Sequence, residues 1–192
     1  MNESKENIVK AALSLFLHNS YASVSMKDIL NKASVSRGAF YHYFESKKAC
    51  FEECVKYQID QVTHPEPSDY DEINLKTFLE DNFRRISQMR NEVTISEKLL
   101  FFSEANKIFP DFMVFMKRRN EDEHIVWTKI AENAEKIGEI KNNIPPAEIA
   151  AMFIALGDGV FMKNIALNYE NFTKAHSELY EHWNTLYSLI KK

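Results

Sequence analysis

Glycine and proline are scarce in this chain, which has four of the first and five of the second among 192 residues. Turn-rich β folds use both residues often, so their scarcity favours long helices. Hydrophobic residues make up 45% of the chain and aromatic residues 12%, which argues for a compact protein with a sizeable core and against disorder. Helical periodicity runs to the C-terminus, and we expect an all-α protein of about nine helices. The helices are predicted near residues 4–19, 26–33, 37–43, 46–63, 71–89, 93–106, 110–137, 146–167 and 172–190. A break is expected at residues 64–68, Pro110 suits the first turn of the seventh helix, and Gly138 suits its end.

Long hydrophobic runs are also missing. No apolar segment approaches the ~20 residues that a helix needs to cross a bilayer. The residues after Met1 lack the charged and apolar regions of a secretory signal. We therefore expect a cytoplasmic protein that does not associate with membranes.

Catalytic and metal-binding motifs are absent as well. The chain has no G-x-S-x-G, P-loop, H-E-x-x-H or paired-carboxylate pattern, so we expect no enzyme, no catalytic residues and no cofactor. Cys50 and Cys54 lie four residues apart on a predicted helix, which suits neither a disulfide nor, without nearby histidines, a metal site. We expect packing residues, with redox or metal sensing as the alternative, and no bound metal.

Residues 25–48 form the most informative segment, because they predict two short helices around a tight turn. Ser25 and Asp28 have the spacing of a capping box, in which each side chain bonds the other residue's backbone N–H. Ser34 lies in the turn, and Ser36 is a good N-cap for a helix that begins at Arg37. This arrangement predicts a helix-turn-helix.

Cations in this segment lie where helices begin. Arg37, Lys47 and Lys48 occupy first turns, where a positive charge weakens a helix by roughly 0.3–1 kcal/mol but prepares it to bind an anion. Gly38 costs a short helix about 1 kcal/mol relative to alanine, which is reasonable if another molecule approaches the backbone closely. We therefore expect this segment to bind DNA.

Charge is distributed unevenly along the chain. Residues 1–48 carry seven Lys and Arg against four Asp and Glu, a net charge of +3, whereas residues 49–192 carry −7. A basic segment on an acidic body suits a protein that presents one end to a polyanion.

The same stretch resembles the N-terminal DNA-binding domain of the TetR family of transcriptional regulators. The resemblance covers IVKAALSLFLHN and SMKDILNKASVSRGAFYHYFESKKACF, of which VSRGAFYHYFESK is highly specific, and a weaker similarity appears in GEIKNNIPPAEIAAMFIALGDGV. Ser20 and Ser34 stand where family members usually carry glycine. The resemblance implies a three-helix helix-turn-helix domain at residues 1–48 and a helical effector-binding and dimerisation domain at residues 49–192.

The residues expected at the DNA-binding site are Ser25, Lys27, Ser36, Arg37, Gly38, Tyr41, His42 and Lys47. The resemblance implies that Arg37, Gly38 and His42, on the helix that Ser36 caps, meet base edges. It implies that phosphates meet Ser25, Lys27, Tyr41 and Lys47.

The last two predicted helices carry wide apolar faces, which the resemblance implies form a homodimer interface. The residues expected there are Met152, Leu156, Val160, Leu179, Trp183, Leu186 and Ile190. Gly157 and Gly159 would let another helix approach closely. Periodicity alone leaves open that these faces close the protein's own core.

A small-molecule effector site in the body is likewise implied. Polar residues interrupt two apolar helix faces, as an apolar pocket with orienting groups requires. The residues expected at this site are Asn82, Phe102, Met113, Asn120, Glu123, Trp127 and Phe153. The alternative is a solvated helix surface beside an ordinary core.

The sequence thus predicts a dimeric, sequence-specific DNA-binding regulator of transcription that recognises a palindromic operator. We expect a repressor that an unknown small molecule releases. The alternative is a TetR-like protein-interaction module that has lost DNA binding.

Overall fold

The computed structural model describes residues 3–60, 73–88, 94–166 and 172–192. Within these ranges the chain forms nine α-helices and no strand, only an isolated antiparallel bridge between Ile140 and Lys191. The all-α prediction is therefore confirmed. The helices are α1 Glu3–His18, α2 Met26–Ala33, α3 Arg37–Tyr43, α4 Lys47–Asp60, α5 Leu75–Gln88, α6 Ile95–Ile108, α7 Phe112–Lys136, α8 Pro146–Ala166 and α9 Phe172–Ile190. None of them is long and apolar enough to span a membrane.

Two helices of the N-terminal segment agree with the sequence. The second and third helices begin and end as predicted, behind Ser25 and Ser36. The fourth was expected over 46–63, and its last three predicted residues, like the predicted break at 64–68, lie outside the described residues.

Four helices, α4 to α7, begin one to four residues later than predicted, and the fifth and seventh show the reason. The fifth starts at Leu75 instead of residue 71, because Asn74 caps it: the Asn74 side-chain oxygen accepts from Thr77 N at 2.8 Å. The seventh starts at Phe112, and Pro110 lies in the preceding turn instead of in the helix. Its first backbone bond, from Phe115 N to Asp111 O at 2.9 Å, begins after the proline.

The chain divides into two compact units, and the first comprises Met1–Thr63 and Ser96–Phe115. In this unit α1 packs against α2 and α4. Phe16 of α1 meets Phe51 of α4 edge to face at 4.9 Å between ring centroids, and Phe51 meets Phe101 of α6 at 5.3 Å. The unit thus joins the predicted DNA-binding helices to a helix from much later in the chain. The functional boundary after residue 48 stays a prediction.

The second unit comprises His64–Ile95 and Met116–Lys192. Its core centres on three aromatic residues, of which Trp127 and Phe153 stack at 5.3 Å between centroids. Trp183 Nε1 donates to Phe153 O at 3.0 Å, so a side chain of α9 is bonded to the backbone of α8. These contacts fix α7, α8 and α9 together.

Glu139 joins three helices of the second unit. Gly138 adopts a left-handed φ of 76° and ends α7, as the sequence predicted. The Glu139 carboxylate then accepts from Leu75 N at 2.9 Å and Lys76 N at 3.0 Å, and from the Tyr187 hydroxyl at 3.1 Å. A residue after α7 therefore caps α5 and holds the C-terminal part of α9.

Candidate nucleic-acid interface

The capping box at the start of α2 is formed as predicted. Ser25 Oγ accepts from Asp28 N at 3.2 Å, and Ser25 N donates to Asp28 Oδ2 at 2.8 Å. The Ser25 hydroxyl also donates to Asp28 Oδ2 at 2.6 Å, and these bonds lower the pKa of the Asp28 carboxyl. Because the hydroxyl proton is engaged, the donors this helix end offers to an anion are first-turn backbone N–H groups.

The turn between α2 and α3 depends on an unusual backbone conformation. Ser34 has φ 54° and ψ 41°, in the left-handed region that non-glycine residues rarely adopt. The turn is closed by a bond from Val35 N to Leu30 O at 3.1 Å. Local hydrogen bonds therefore keep Ser34 in a backbone conformation that glycine would adopt with less strain.

One face of α3 is anchored and the other is exposed. Phe40 is fully buried, and Ser36 Oγ caps the helix by accepting from Ala39 N at 3.1 Å. The remaining predicted DNA-facing residues of this helix are exposed; they are Arg37, Gly38, Tyr41 and His42. The Arg37 guanidinium lies 5.5 Å from the centre of the Tyr41 ring, a cation–π distance that links the two side chains.

Gly38 is not required by the fold of this protein. A Cβ added there would have Ser36 Oγ as its nearest neighbour, at an ordinary contact distance of 3.9 Å. Its backbone does not adopt a left-handed φ either. The reason for glycine at this exposed position is therefore to be sought outside the protomer.

The Lys47 ammonium group forms hydrogen bonds within the protein. Its Nζ donates to Tyr21 O and Val24 O, both at 2.8 Å, and lies 4.1 Å from the centre of the Tyr21 ring. Two of its three donors thus bind the turn between α1 and α2. Lys27, by contrast, is exposed. Contact of either lysine with phosphate stays a prediction.

Two acidic residues of α6 contact this region, and sequence reasoning missed both. Glu104 Oε2 accepts from Tyr21 N at 2.8 Å, across 83 positions. Glu97 Oε1 lies 2.9 Å from His18 Nδ1, across 79 positions. Separations of this size leave no local motif, so no sequence signal was available.

The cysteines are buried in the first unit. Cys54 Sγ donates to Val9 O at 3.5 Å, and burial, together with the nearby Cys50, raises the pKa of the Cys54 thiol well above its ordinary value. A raised pKa disfavours the reactive thiolate, in agreement with packing residues. Among the described residues, no group of three or more His, Cys, Asp or Glu is placed to hold a metal ion.

The residues expected at an effector site are divided between the two units. Phe102 and Met113 belong to the first, where Met113 is 62% exposed. In the second, Trp127 and Phe153 are stacked in the core, and Asn82 is 3% exposed with its amide donating to Phe78 O at 2.9 Å. Two more lie on α7, where Asn120 is exposed and Glu123 half-buried.

The residues expected at a dimer interface differ in exposure. Val160, Trp183 and Ile190 are buried within the single chain, whereas Met152 is 39% exposed. The other three are half-buried; they are Leu156, Leu179 and Leu186. One face of α8 presents small and apolar residues to the outside, namely Met152, Ala155, Gly159 and Met162. A Cβ added at Gly157 or Gly159 would have nothing within 4 Å.

Two short capped helices, α2 and α3, follow α1, and the anchored third helix exposes Arg37 and Gly38; this arrangement defines a helix-turn-helix protein. The family model of the bacterial regulatory proteins of the tetR family matches residues 8–54. Over these residues the chain is similar to the regulators of that family.

Individual proteins show similarity over part of the chain. The transposon Tn10 TetC protein of Escherichia coli is 30% identical over 115 residues, covering 56% of this chain and 58% of that protein. The biofilm operon negative regulator IcaR of Staphylococcus aureus is 28% identical over 60 residues, covering 31% of this chain and 32% of that one. The chain spans from a fifth to about three fifths of the first curated relatives it matches.

The fold is similar over nearly all of the chain to that of a protein from Mesorhizobium loti described as a TetR-family transcriptional regulator. That structure has a TM-score of 0.75 and covers 98% of this chain and 97% of its own, at 18% identity.

Proposed function

We propose that this protein is a sequence-specific transcriptional regulator that reads double-stranded DNA with α3. The observation that carries the proposal is the exposed surface around Gly38, where a glycine that the fold does not need lies beside Arg37 and His42. Arginine is well suited to reading guanine in the major groove, and glycine lets the backbone approach the bases. The match of residues 8–54 to the tetR-family model supports the same role.

We further propose that the protein acts as a homodimer through α8 and α9 on a palindromic operator. The exposed face with Met152, Gly159 and Met162 offers small and apolar contacts to a second copy. A single short recognition helix reads too few base pairs for tight binding, and two-fold pairing places two of them about 34–36 Å apart, one helical turn of DNA. The proposed DNA-contacting residues all fall within 1–48, which we take as the DNA-binding domain.

Regulation by a small molecule completes the proposal. An effector bound in residues 49–192 would favour a conformer whose recognition helices are wrongly spaced for DNA. Thermodynamic linkage then requires DNA to weaken effector binding by the same factor. The description of IcaR as a negative regulator supports repression as the direction of control. Such a protein would act in the cytoplasm, where the operator DNA lies.

The decisive experiment is selection of bound duplexes from a random DNA library by the purified protein at near-physiological salt. We expect enrichment of one palindrome with half-sites about one helical turn apart. No enrichment by folded, dimeric protein would overturn the proposal in favour of an interaction module that no longer reads DNA.

A matched pair of variants then separates reading from positioning. Arg37→Ala should relax the preference at particular bases, by roughly 1–3 kcal/mol each. Lys27→Ala should weaken binding to all sequences alike and reduce the slope of log affinity against log salt by about one. Identical behaviour of the two variants would contradict the assignment of α3 as the reading helix.

A further inference from the structure

We propose that Glu104 on α6 is a positioning residue for DNA binding, which holds the turn between α1 and α2 in place without touching DNA. The proposal rests on the proposed function and extends it to a helix that carries none of the proposed DNA-contacting residues. Its starting observation is the 2.8 Å bond from Tyr21 N to Glu104 Oε2. A hydrogen bond from a backbone N–H to a carboxylate is charge-assisted, which makes it stronger than most backbone bonds.

The turn is held from both sides. Glu104 binds the N–H of Tyr21, while Lys47 binds the carbonyls of Tyr21 and Val24 at 2.8 Å each. Within the turn itself, Val24 N donates to Ser20 O at 3.3 Å. The next residue is Ser25, which caps α2. The position of this cap, and of the first-turn amides it leaves for a phosphate, therefore depends on both charged side chains.

Glu104 belongs to a face of α6 that packs on the first unit. Glu97, Phe101 and Glu104 have i, i+4 and i+7 spacing, so their side chains point to the same side of the helix. Phe101 is 1% exposed and supplies the apolar contact, against Phe51. The two carboxylates flank it and bind the end of α1 and the turn that follows.

Glu97 makes the weaker of the two carboxylate contacts, with His18, and serves as the matched control. Its partner His18 has a side chain that is 42% exposed, and a pair open to water is screened by solvent and salt. His18 also lies at the end of α1, before the turn that leads to the DNA-binding helices. Removing the Glu97 charge should therefore affect DNA binding little.

The test compares the full-length variants Glu104→Leu, Glu104→Gln and Glu97→Gln. The first removes the acceptor, the second keeps a neutral acceptor, and the third is the control. Nuclear magnetic resonance reports the proton shift and hydrogen exchange of the Tyr21 amide, and titration of the selected duplex gives the dissociation constant. If the leucine variant fails to fold, Glu104→Ser replaces it, because its side chain is too short to reach the amide.

We expect Glu104→Leu to speed exchange of the Tyr21 amide and to raise the dissociation constant by roughly tenfold, the equivalent of one charged hydrogen bond. Glu104→Gln and Glu97→Gln should stay within about threefold of the unmodified protein, by the same measure. Relative preferences among point-mutated duplexes should not change in any variant, because no base contact is altered.

The outcomes are distinguishable. Faster hydrogen exchange of the Tyr21 amide with unchanged DNA affinity would overturn the positioning role and leave the proposed function intact. An altered base preference would overturn it too, because the residue would then act on reading. If the unmodified protein enriched no duplex while its Tyr21 amide stayed protected, the proposed function would fail and the positioning role with it.

Discussion

We predict that the substitution Gly38→Ala has opposite effects on stability and on DNA binding. It adds one methyl group to the exposed side of α3, where the new carbon would lie 3.9 Å from Ser36 Oγ and meet no closer neighbour. Alanine favours a helix interior by about 1 kcal/mol relative to glycine. Because the structure shows no clash, we expect the free energy of unfolding to rise by up to about 1 kcal/mol.

The same methyl group should weaken operator binding. In the proposed complex the α3 backbone approaches the bases at Gly38, so the added carbon pushes the helix outward and disturbs neighbouring base contacts such as those of Arg37. Loss of one good base contact corresponds to about 1–3 kcal/mol, or roughly 5- to 150-fold in the dissociation constant.

Two measurements on the same preparation test this pair of effects. Urea unfolding gives the change in stability, and titration of the selected duplex gives the change in affinity. A scrambled duplex is the control, because binding through phosphates alone should be less sensitive to one methyl group on α3. Greater stability with unchanged operator affinity would refute the close approach at Gly38, and lower stability would refute the clearance seen in the protomer.

Three further predictions concern stability. Ser34→Gly should raise the free energy of unfolding by about 1 kcal/mol by relieving the left-handed backbone, and an unchanged urea midpoint would contradict this strain. Glu139→Ala should lower the free energy of unfolding by roughly 2–4 kcal/mol, and Tyr187→Phe by about 1 kcal/mol, because only the first also removes the acceptor for the first amides of α5. Equal losses in thermal unfolding would contradict the capping role. Burial lowers the pKa of His176, so the unfolded chain binds a proton more readily and stability should fall as the pH drops below about 6.5. His176→Phe should flatten that decline between pH 7.5 and 5, and parallel declines in the unfolding midpoint would contradict it.

Two helix starts could be predicted from the residue before the helix. Ser25 and Ser36 lie immediately before the helices they cap, so both starts were evident from the sequence. The start of α5 was missed, although its cap at Asn74 is equally local. The carboxylate that reinforces this cap belongs to Glu139, 64 positions from Leu75, and no local pattern indicates it.

The candidate DNA site could be predicted as a group because its residues lie within one short segment. The hydrogen bonds of Lys47 to Tyr21 O and Val24 O could not be predicted. These carbonyls come close to the Lys47 side chain only when α4 packs on α1. Periodicity likewise could not say which apolar residues of the last helices face inward. Trp183 is buried against Phe153, whereas Met152 on the adjacent helix faces outward.

The first unit is discontinuous in sequence, and this has a consequence for how the protein is made. When the ribosome has synthesised the chain to Asp60, α1 to α4 exist but their partner helix does not, and residues up to Phe115 must still be added. At roughly 5–20 residues per second this takes about 3–11 s. During that interval Phe51 lacks its contact with Phe101, and the Tyr21 amide lacks its carboxylate. The nascent protein can therefore complete the unit that contains α1 to α4 only after α6 has been translated.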